Sequence, residues 1–351
     1  MLRLSLIFIL FSVQLFSELI STFYGEIDVN EPVLLELIHY PAMQRLKHVH
    51  QYGISYYAKT HPEEYTRFDH SLGVFAILKI KQASLEEQIA GLLHDVSHTA
   101  FSHVADWVYS REQQEEDYQS SIHETYLARS GIEKILNQYG YQSSQISPQR
   151  EEFSMLEQPL PNLCADRIDY NIQGAYFQQF ITKEEAQELL LDLSFEDEKW
   201  ILTRQDLAVK LADFSIFMTE NCWGSAYNFM SSNWLAHAIL RGFDLKIISM
   251  DEFHFGTDEP IWERLSHSQD PLIQEQVNKI HAPHHYFRLV DPPLATTFIP
   301  FKCRAIDPWI KKDGQIIRLS SIDPDFNTRL NKLRQTAIDG WPIQVVNHAS
   351  K

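Results

Sequence analysis

The chain has 351 residues, of which 44% are hydrophobic and 22% are charged, as in an ordinary folded protein rather than a disordered one. Its formal net charge of −17 argues against general nucleic-acid binding, because proteins that grip phosphate backbones need a basic surface. The three cysteines are widely spaced and form no CxxC pair, which indicates reduced thiols in a reducing compartment.

Residues 1–22 form an apolar leader. One positive charge, at Arg3, precedes an apolar run from Leu4 to Phe16, as in a signal peptide, but no small-x-small cleavage site precedes Tyr24. We therefore expect a cytoplasmic protein, with export as the alternative if the leader is a signal peptide. No later stretch reaches the ~20 apolar residues that a membrane-spanning helix needs.

Residues 23–238 are predicted to form a helical domain. From about Glu26 the pattern is helical, with a helix start at Glu31 and Pro32. Apolar residues at helical spacing predict further helices over residues 72–80, 85–94, 101–109, 163–173 and 207–218. The polar stretch 111–119 is interpreted as a solvated loop or helix face, and the stretch 141–162 as the longest loop.

The sequence pattern changes after about Ile239. Short segments divided by Pro and Gly, at residues 286–290, 297–304 and 315–319, are typical of strands and turns. The expected fold is therefore mainly α, with a smaller α+β region over residues 239–351.

The strongest chemical signal is His94 followed directly by Asp95 at the end of an apolar helix, which places an imidazole and a carboxylate side by side. Such a pair on its own is often only a helix-terminal histidine beside a capping aspartate. Here His70, one helical turn after Arg67, and Asp166, on a later helix, extend it to two nitrogen and two oxygen ligands.

This mixed donor set suits a divalent ion that keeps bound water, namely Mn²⁺, Fe²⁺, Zn²⁺ or Mg²⁺. A closed structural zinc site would more often contain cysteines. An ion with an open position lowers the pKa of its water and polarises a phosphoryl oxygen, so the pattern predicts hydrolytic chemistry.

Five stretches carry a family resemblance: residues 41–46 (PAMQRL), 51–53 (QYG), 67–73 (RFDHSLG), 89–103 (IAGLLHDVSHTAFSH) and 166–170 (DRIDY). They resemble the HD-domain phosphohydrolase superfamily, and within it the deoxynucleotide triphosphohydrolase branch, which includes the animal enzyme with a sterile-alpha-motif domain. The resemblance covers nearly half of the chain. It implies an HD-domain helical bundle whose metal ligands are His70, His94, Asp95 and Asp166.

The same resemblance implies roles for seven further residues. Near the scissile phosphate it places His98, His103 and His123 as catalytic imidazoles, with Asp106 orienting one of them. It places Arg67 on a phosphate, and Gln51 and Tyr170 beside the sugar. The alternatives are structural: each histidine could be a hydrogen-bonded core residue, Arg67 could pair with Asp69, and Tyr170 could belong to the core.

Two positions depart from the triphosphohydrolase pattern. Gly174 stands where that branch has an acidic residue for the sugar hydroxyl, and Glu220 stands where it has a basic residue for the distal phosphates. A carboxylate facing a triphosphate would repel it unless another charge intervenes. The departures leave hydrolysis intact as an expectation and make a deoxynucleoside triphosphate less certain as the substrate.

The sequence therefore predicts a metal-dependent phosphohydrolase that uses metal-activated water on a small phosphorylated metabolite, a nucleotide. Two alternatives stay open: a deoxynucleoside triphosphate triphosphohydrolase that releases triphosphate, and a non-catalytic module that senses a ligand. The expected partners are the divalent ion and the phosphorylated substrate, and formation of a homo-oligomer stays open.

Overall fold

The computed structural model describes residues 17–110 and 117–346. Its first half is a β-hairpin followed by a series of helices. In chain order these elements are β1 (Glu18–Thr22), β2 (Gly25–Val29), α1 (Pro32–His39), α2 (Pro41–Gln44), α3 (Ile54–Tyr57), α4 (Arg67–Ile80), α5 (Leu85–Leu93), α6 (Val104–Val108), α7 (Tyr118–Ser130), α8 (Ile132–Gln138) and α9 (Ala165–Phe177).

The second half mixes helices with short strands. Its elements are α10 (Lys183–Asp192), β3 (Ser194–Glu196), β4 (Lys199–Leu202), α11 (Gln205–Met218), α12 (Ala226–Asp244), α13 (Met250–Phe255), α14 (Asp258–Ser266), α15 (Pro271–His281), β5 (Phe287–Leu289), β6 (Thr297–Ile299), β7 (Trp309–Lys312), β8 (Gln315–Arg318), α16 (Leu319–Ile322), α17 (Pro324–Asp339) and β9 (Trp341–Val345). The mainly α fold is thus confirmed, with sheets in the C-terminal part.

Most of the predicted leader, residues 1–16, lies outside the described residues. Its last five residues form β1, which pairs antiparallel with β2 so that Ile20 faces Ile27. The expectation of helix from Glu26 was wrong for residues 26–29, where apolar and polar side chains alternate with the period of a strand. Among the described residues, no helix is both long and apolar enough to cross a membrane.

Two helices that carry site residues begin elsewhere than predicted, for local reasons. Helix α4 begins at Arg67 instead of residue 72, because Thr66 and Asp69 form a capping box at its start. Helix α6 begins at Val104 instead of residue 101, because Phe101 and Ser102 have φ angles of 61° and 56°. A helix cannot pass through that left-handed conformation.

The predicted C-terminal strands are present as β5, β6 and β8. Strand β9 pairs with β5 and β6 in a three-stranded sheet, while the four-stranded sheet has the order β3-β4-β7-β8. The parallel pairing of β4 with β7 was not predicted, and neither were α13, α14 and α15. The boundary between residues 238 and 239 stays a prediction.

Two hydrophobic clusters hold the fold together, and the site lies between them. The first contains apolar residues of α1, α4, α5, α9, α11 and α17, and the second contains those of α3, α6, α12 to α15 and the β5-β9-β6 sheet. The chain passes from one to the other within a few residues, since Val96 belongs to the first cluster and Phe101 to the second.

Asp258, at the start of α14, ties the second cluster to the site. Its carboxylate accepts the backbone N–H of Phe101 at 2.7 Å and that of His50 at 2.9 Å, and it is fully buried. Replacing Asp258 with alanine leaves both N–H groups without an acceptor. We expect the free energy of unfolding, measured in urea, to fall by at least ~2 kcal/mol, since one buried unpaired group costs about 1–3 kcal/mol.

The matched control is Asp251→Ala, because Asp251 is exposed and its ion pair is with the exposed Arg129. That replacement should change the free energy of unfolding by less than ~1 kcal/mol. Equal effects of the two alanines would contradict the anchoring role of Asp258.

Candidate metal centre

Four side chains from distant parts of the chain meet in one cluster, here called the His/Asp cluster: His70 on α4, His94 and Asp95 directly after α5, and Asp166 on α9. His70 Nε2 lies 3.1 Å from His94 Nε2 and 2.9 Å from Asp166 Oδ1. Asp95 carboxylate oxygens lie 3.6 Å from the Nε2 atoms of both imidazoles. The structure therefore brings together the four residues that the sequence proposed as ligands.

The hydrogen bonds of the two imidazoles leave one ring nitrogen of each available to bind a cation. His70 Nδ1 donates to Asp169 Oδ2 at 2.7 Å, and His94 Nδ1 donates to the Gly91 carbonyl oxygen at 2.7 Å. Both Nε2 atoms are thereby turned toward each other and toward two carboxylates. His70, His94 and Asp95 offer ligand atoms within 4.8 Å of one another, so this group could hold a divalent ion.

The buried carboxylates of the cluster also favour positive charge beside them. Burial lowers the pKa of His70, but hydrogen bonds to Asp166 and Asp169 outweigh it and raise that pKa to about 10. Burial raises the pKa of Asp95, yet His94 and Arg67 bring it well below its ordinary value. With protein groups alone, a proton on His70 balances the carboxylates, and a divalent ion would displace that proton.

The role of Asp169 was missed by the sequence analysis. Its fully buried carboxylate accepts hydrogen bonds from His70, from Tyr24 Oη at 2.9 Å, from Tyr65 Oη at 3.2 Å and from Gln173 Nε2 at 3.0 Å. It therefore holds the His70 ring in one orientation and one tautomer. The available signal was its position three residues after Asp166, on the same face of α9.

Arg67 pairs with Asp95 and not with Asp69, which is engaged in the cap of α4. Its Nη1 donates to Asp95 Oδ2 at 2.6 Å, and its Nε donates to Ser102 Oγ at 3.0 Å. Arg67 is buried but lines the cavity described below. Contact of its guanidinium with a substrate phosphate stays a prediction.

His98 and His103 lie beside the cluster with their rings 4.9 Å apart. His98 Nε2 is 3.3 Å from Asp95 Oδ1, while His103 Nδ1 donates to Asp106 Oδ2 at 3.2 Å. Burial, helped by the charge of Arg67, lowers the pKa of His98 to about 3, so this imidazole is neutral near pH 7. The structure thus brings Asp106 into contact with one of the three imidazoles, and its role in orienting that imidazole for catalysis stays a prediction.

His123 is placed differently from the other predicted imidazoles. It is buried on α7, its Nδ1 lies 3.0 Å from Ser97 Oγ, and it does not line the cavity. Burial, together with His94, lowers the pKa of His123 to about 4. Its predicted role near the scissile phosphate stays a prediction.

A cavity of about 770 Å³ opens in front of the cluster, within the range of sites for small molecules. It is lined by most of the predicted site: Gln51, Arg67, His94, Asp95, His98, His103, Asp106, Asp166 and Tyr170. Eight aromatic side chains share its wall: Tyr52, Tyr65, Phe101, Trp107, Tyr170, Trp223, Phe229 and Phe301. A smaller cavity of about 240 Å³, beside Trp200 and Trp309, contains none of the predicted site residues.

Neither departure from the triphosphohydrolase pattern lines the large cavity. A Cβ atom on Gly174 would lie 3.2 Å from the ring of Phe214 and 3.3 Å from Tyr52 Oη, so this position faces packed side chains. Glu220 belongs to a π-helical turn, Thr219–Trp223, whose last two residues are the ones that reach the cavity. The described cavity thus has no carboxylate from Glu220 to repel a phosphate.

The comparison with protein families finds a match to the HD domain over residues 67–171. This range includes all four residues of the His/Asp cluster, together with Arg67, His98, His103, Asp106, His123 and Tyr170.

Three similar proteins place this match in context. The chain is 32% identical to the uncharacterized protein YdhJ of Bacillus subtilis, over 94% of this chain and 99% of that protein. It is 38% identical to the metal-dependent phosphohydrolase cns2 of Cordyceps militaris, over 48% of each chain. It is 31% identical to the human deoxynucleoside triphosphate triphosphohydrolase SAMHD1, over 33% of this chain and 22% of that protein.

Proposed function

The chain belongs to the HD-domain metal-dependent phosphohydrolases, and from this premise we propose that it hydrolyses a phosphate ester of a nucleotide in the 770 Å³ cavity. The observation that carries the proposal is the position of the His/Asp cluster on the wall of a cavity rich in aromatic side chains. Metal donors and aromatic surfaces facing one space suit a substrate that joins a phosphate to a flat ring.

In this proposal His70, His94, Asp95 and Asp166 would hold the divalent ion, and the chemistry that such an ion would supply is activation of a water and polarisation of a phosphoryl oxygen. Arg67 fixes the Asp95 carboxylate through its 2.6 Å contact. The protein side chains position the substrate and transfer protons.

We assign contact with the phosphoryl group to His98 and His103, which lie beside the cluster. His98, neutral because of its lowered pKa, serves as a hydrogen-bonding partner for the phosphate. His103, held by Asp106, delivers a proton to the leaving oxygen. Gln51 and Tyr170 contact the sugar.

The aromatic lining supports a nucleotide over a simple phosphate ester. The ring of Trp223 lies 5.3 Å from that of Tyr170, and the ring of Trp107 lies 4.3 Å from that of Phe229. Aromatic faces stack on nucleobases with about 1–3 kcal/mol per base and with little preference among them. An aliphatic phosphate ester would lack this stacking contribution.

The alternative of a deoxynucleoside triphosphate triphosphohydrolase has one specific observation in its favour. Gly174 and Glu220, the two positions at which the sequence departs from the triphosphohydrolase pattern, do not line the cavity. In this alternative the leaving group is the intact triphosphate rather than inorganic phosphate. The other alternative, a ligand-sensing module, predicts tight nucleotide binding without product.

A turnover panel tests the proposal. Purified protein is assayed with Mn²⁺, Fe²⁺, Mg²⁺ or Zn²⁺ on nucleoside mono- and triphosphates and on a generic phosphomonoester, with phosphate and triphosphate resolved as products. The proposal expects phosphate release from nucleotides, with kcat/KM clearly above that for the generic ester. Triphosphate release from deoxynucleotides would favour the first alternative, and binding without product under every metal would favour the second.

A further inference from the structure

The cavity wall includes a segment from the C-terminal part of the chain that the site does not yet use. Residues 300–304 lie between β6 and β7, and Phe301, Lys302 and Arg304 line the cavity. The segment is anchored on both sides. Phe301 stacks on Trp341 with ring centroids 5.2 Å apart, and the backbone N–H of Ile306 donates to Ser215 Oγ at 3.1 Å.

Lys302 and Arg304 have no hydrogen bond or ion pair with any residue in 17–110 or 117–346. The other two cations of the cavity are already engaged: Arg67 pairs with Asp95, and Arg167 Nη1 donates to the carbonyl oxygen of Asn162 at 3.0 Å. In a chain with 47 acidic and 30 basic residues, two cations on one cavity wall that form no hydrogen bond or ion pair with the described residues are unexpected. Their charge can act on a ligand as well as on the Asp117 carboxylate, which lines the same cavity.

The field of these cations reaches the predicted catalytic groups. Burial raises the pKa of Asp117, but His103, Arg304 and Lys302 outweigh it, so that this pKa is lowered. Asp117 Oδ2 is 3.7 Å from His103 Nδ1. Burial likewise raises the pKa of Tyr170, and the charges of Arg167 and Arg304 oppose that increase. Lys302 and Arg304 therefore lie within electrostatic reach of the space that substrate would fill.

We propose that Lys302 and Arg304 form an anion subsite that binds a second phosphate group of the substrate, remote from the His/Asp cluster. The inference rests on the proposed function, because the first phosphate of the same molecule is the one hydrolysed. It narrows the substrate class to nucleotides that carry more than one phosphate group. These phosphates are either linked to one another in a chain or attached at two positions of the nucleotide. It also supplies, from residues 300–304, positive charge that position 220 does not provide.

The test compares the double variant Lys302→Gln/Arg304→Gln with the control Lys312→Gln/Lys332→Gln, which removes the same charge from exposed positions outside the cavity. With Mn²⁺ present, KM for a nucleoside triphosphate should rise at least about tenfold in the first variant. KM for the corresponding monophosphate should stay within about twofold in both variants. An equal change for the two substrates, or no change for either, would overturn the proposal.

A binding measurement separates this inference from the proposed function. Inorganic triphosphate is titrated calorimetrically into the Mn²⁺-loaded protein, and the Lys302→Gln/Arg304→Gln variant should bind it at least about tenfold more weakly than the wild type and the control. Weaker binding in a protein that hydrolyses no nucleotide would support the subsite and contradict the proposed function. Unchanged binding in a protein that does hydrolyse nucleotides would overturn the subsite alone.

Discussion

Replacing His94 with alanine should remove both the bound metal and the turnover of this protein. His94 Nε2 is 3.1 Å from His70 Nε2 and faces the carboxylates of the His/Asp cluster, so the variant loses one of the two nitrogen donors. We expect kcat/KM to fall by at least about 10²-fold, the size of effect seen when one electrostatic stabilising group leaves an active site. Elemental analysis of the purified protein should show substoichiometric metal.

Asp95→Ala should have the same effect on metal and turnover, but it has a second consequence. It leaves the buried Arg67 guanidinium without its carboxylate, and breaking a buried ion pair from one side costs about 3–5 kcal/mol. His94→Ala is therefore the cleaner test of catalysis. The control is His237→Ala, an exposed histidine on α12, which should keep full metal content and turnover. Turnover retained in a metal-free His94→Ala/Asp95→Ala protein would refute metal-dependent hydrolysis at this cluster.

Gly73→Ala should damage the metal centre although Gly73 is not a proposed ligand. A Cβ atom there would lie 1.9 Å from Asp169 Oδ1 and 2.5 Å from Gln173 Nε2. Asp169 cannot easily retreat, because Tyr24 and Tyr65 also hold its carboxylate. We expect metal affinity, measured by titration, to fall about 10–100-fold, as when an orienting partner of a ligand is lost. The free energy of unfolding should fall by about 1–3 kcal/mol.

Gly242→Ala is the matched control for this replacement. Gly242 lies in helix α12, and its added Cβ would lie 3.0 Å from Ile248 Cγ1, an apolar side chain that can shift. Metal affinity should be unchanged in this variant. If Gly73→Ala bound metal as tightly as the wild type, the positioning of His70 by Asp169 would not matter for the centre.

Local patterns made much of the helical framework predictable. Pro32 begins α1 as expected, and helix α5 ends at Leu93, just before the His-Asp pair. Where local prediction was wrong, a local cause had been overlooked. The cap formed by Thr66 and Asp69 starts α4 early, and the φ angle of 61° at Phe101 delays α6.

For the site, the residue types were predictable from the sequence, but their arrangement in space was not. His70, His94, Asp95 and Asp166 could be proposed as ligands from a pattern of residue types and a family resemblance, but their meeting point could not. His70 and Asp166 are 96 residues apart, and their 2.9 Å contact depends on how α4 packs against α9. The position of His123 behind Ser97, away from the cavity, was likewise invisible in the motif.

The amino-acid sequence alone was enough for the mainly α fold class, because helix periodicity is a local property of the chain, and its resemblance to the HD family implied the hydrolase and the short list of proposed donors. Tertiary structure alone decided that Arg67 pairs with Asp95, that Asp258 anchors the backbone at Phe101, and that Lys302 and Arg304 reach the same cavity as the His/Asp cluster. Contacts between residues on separate elements leave no periodic signal in the sequence, since they arise only when those elements bury their apolar faces together.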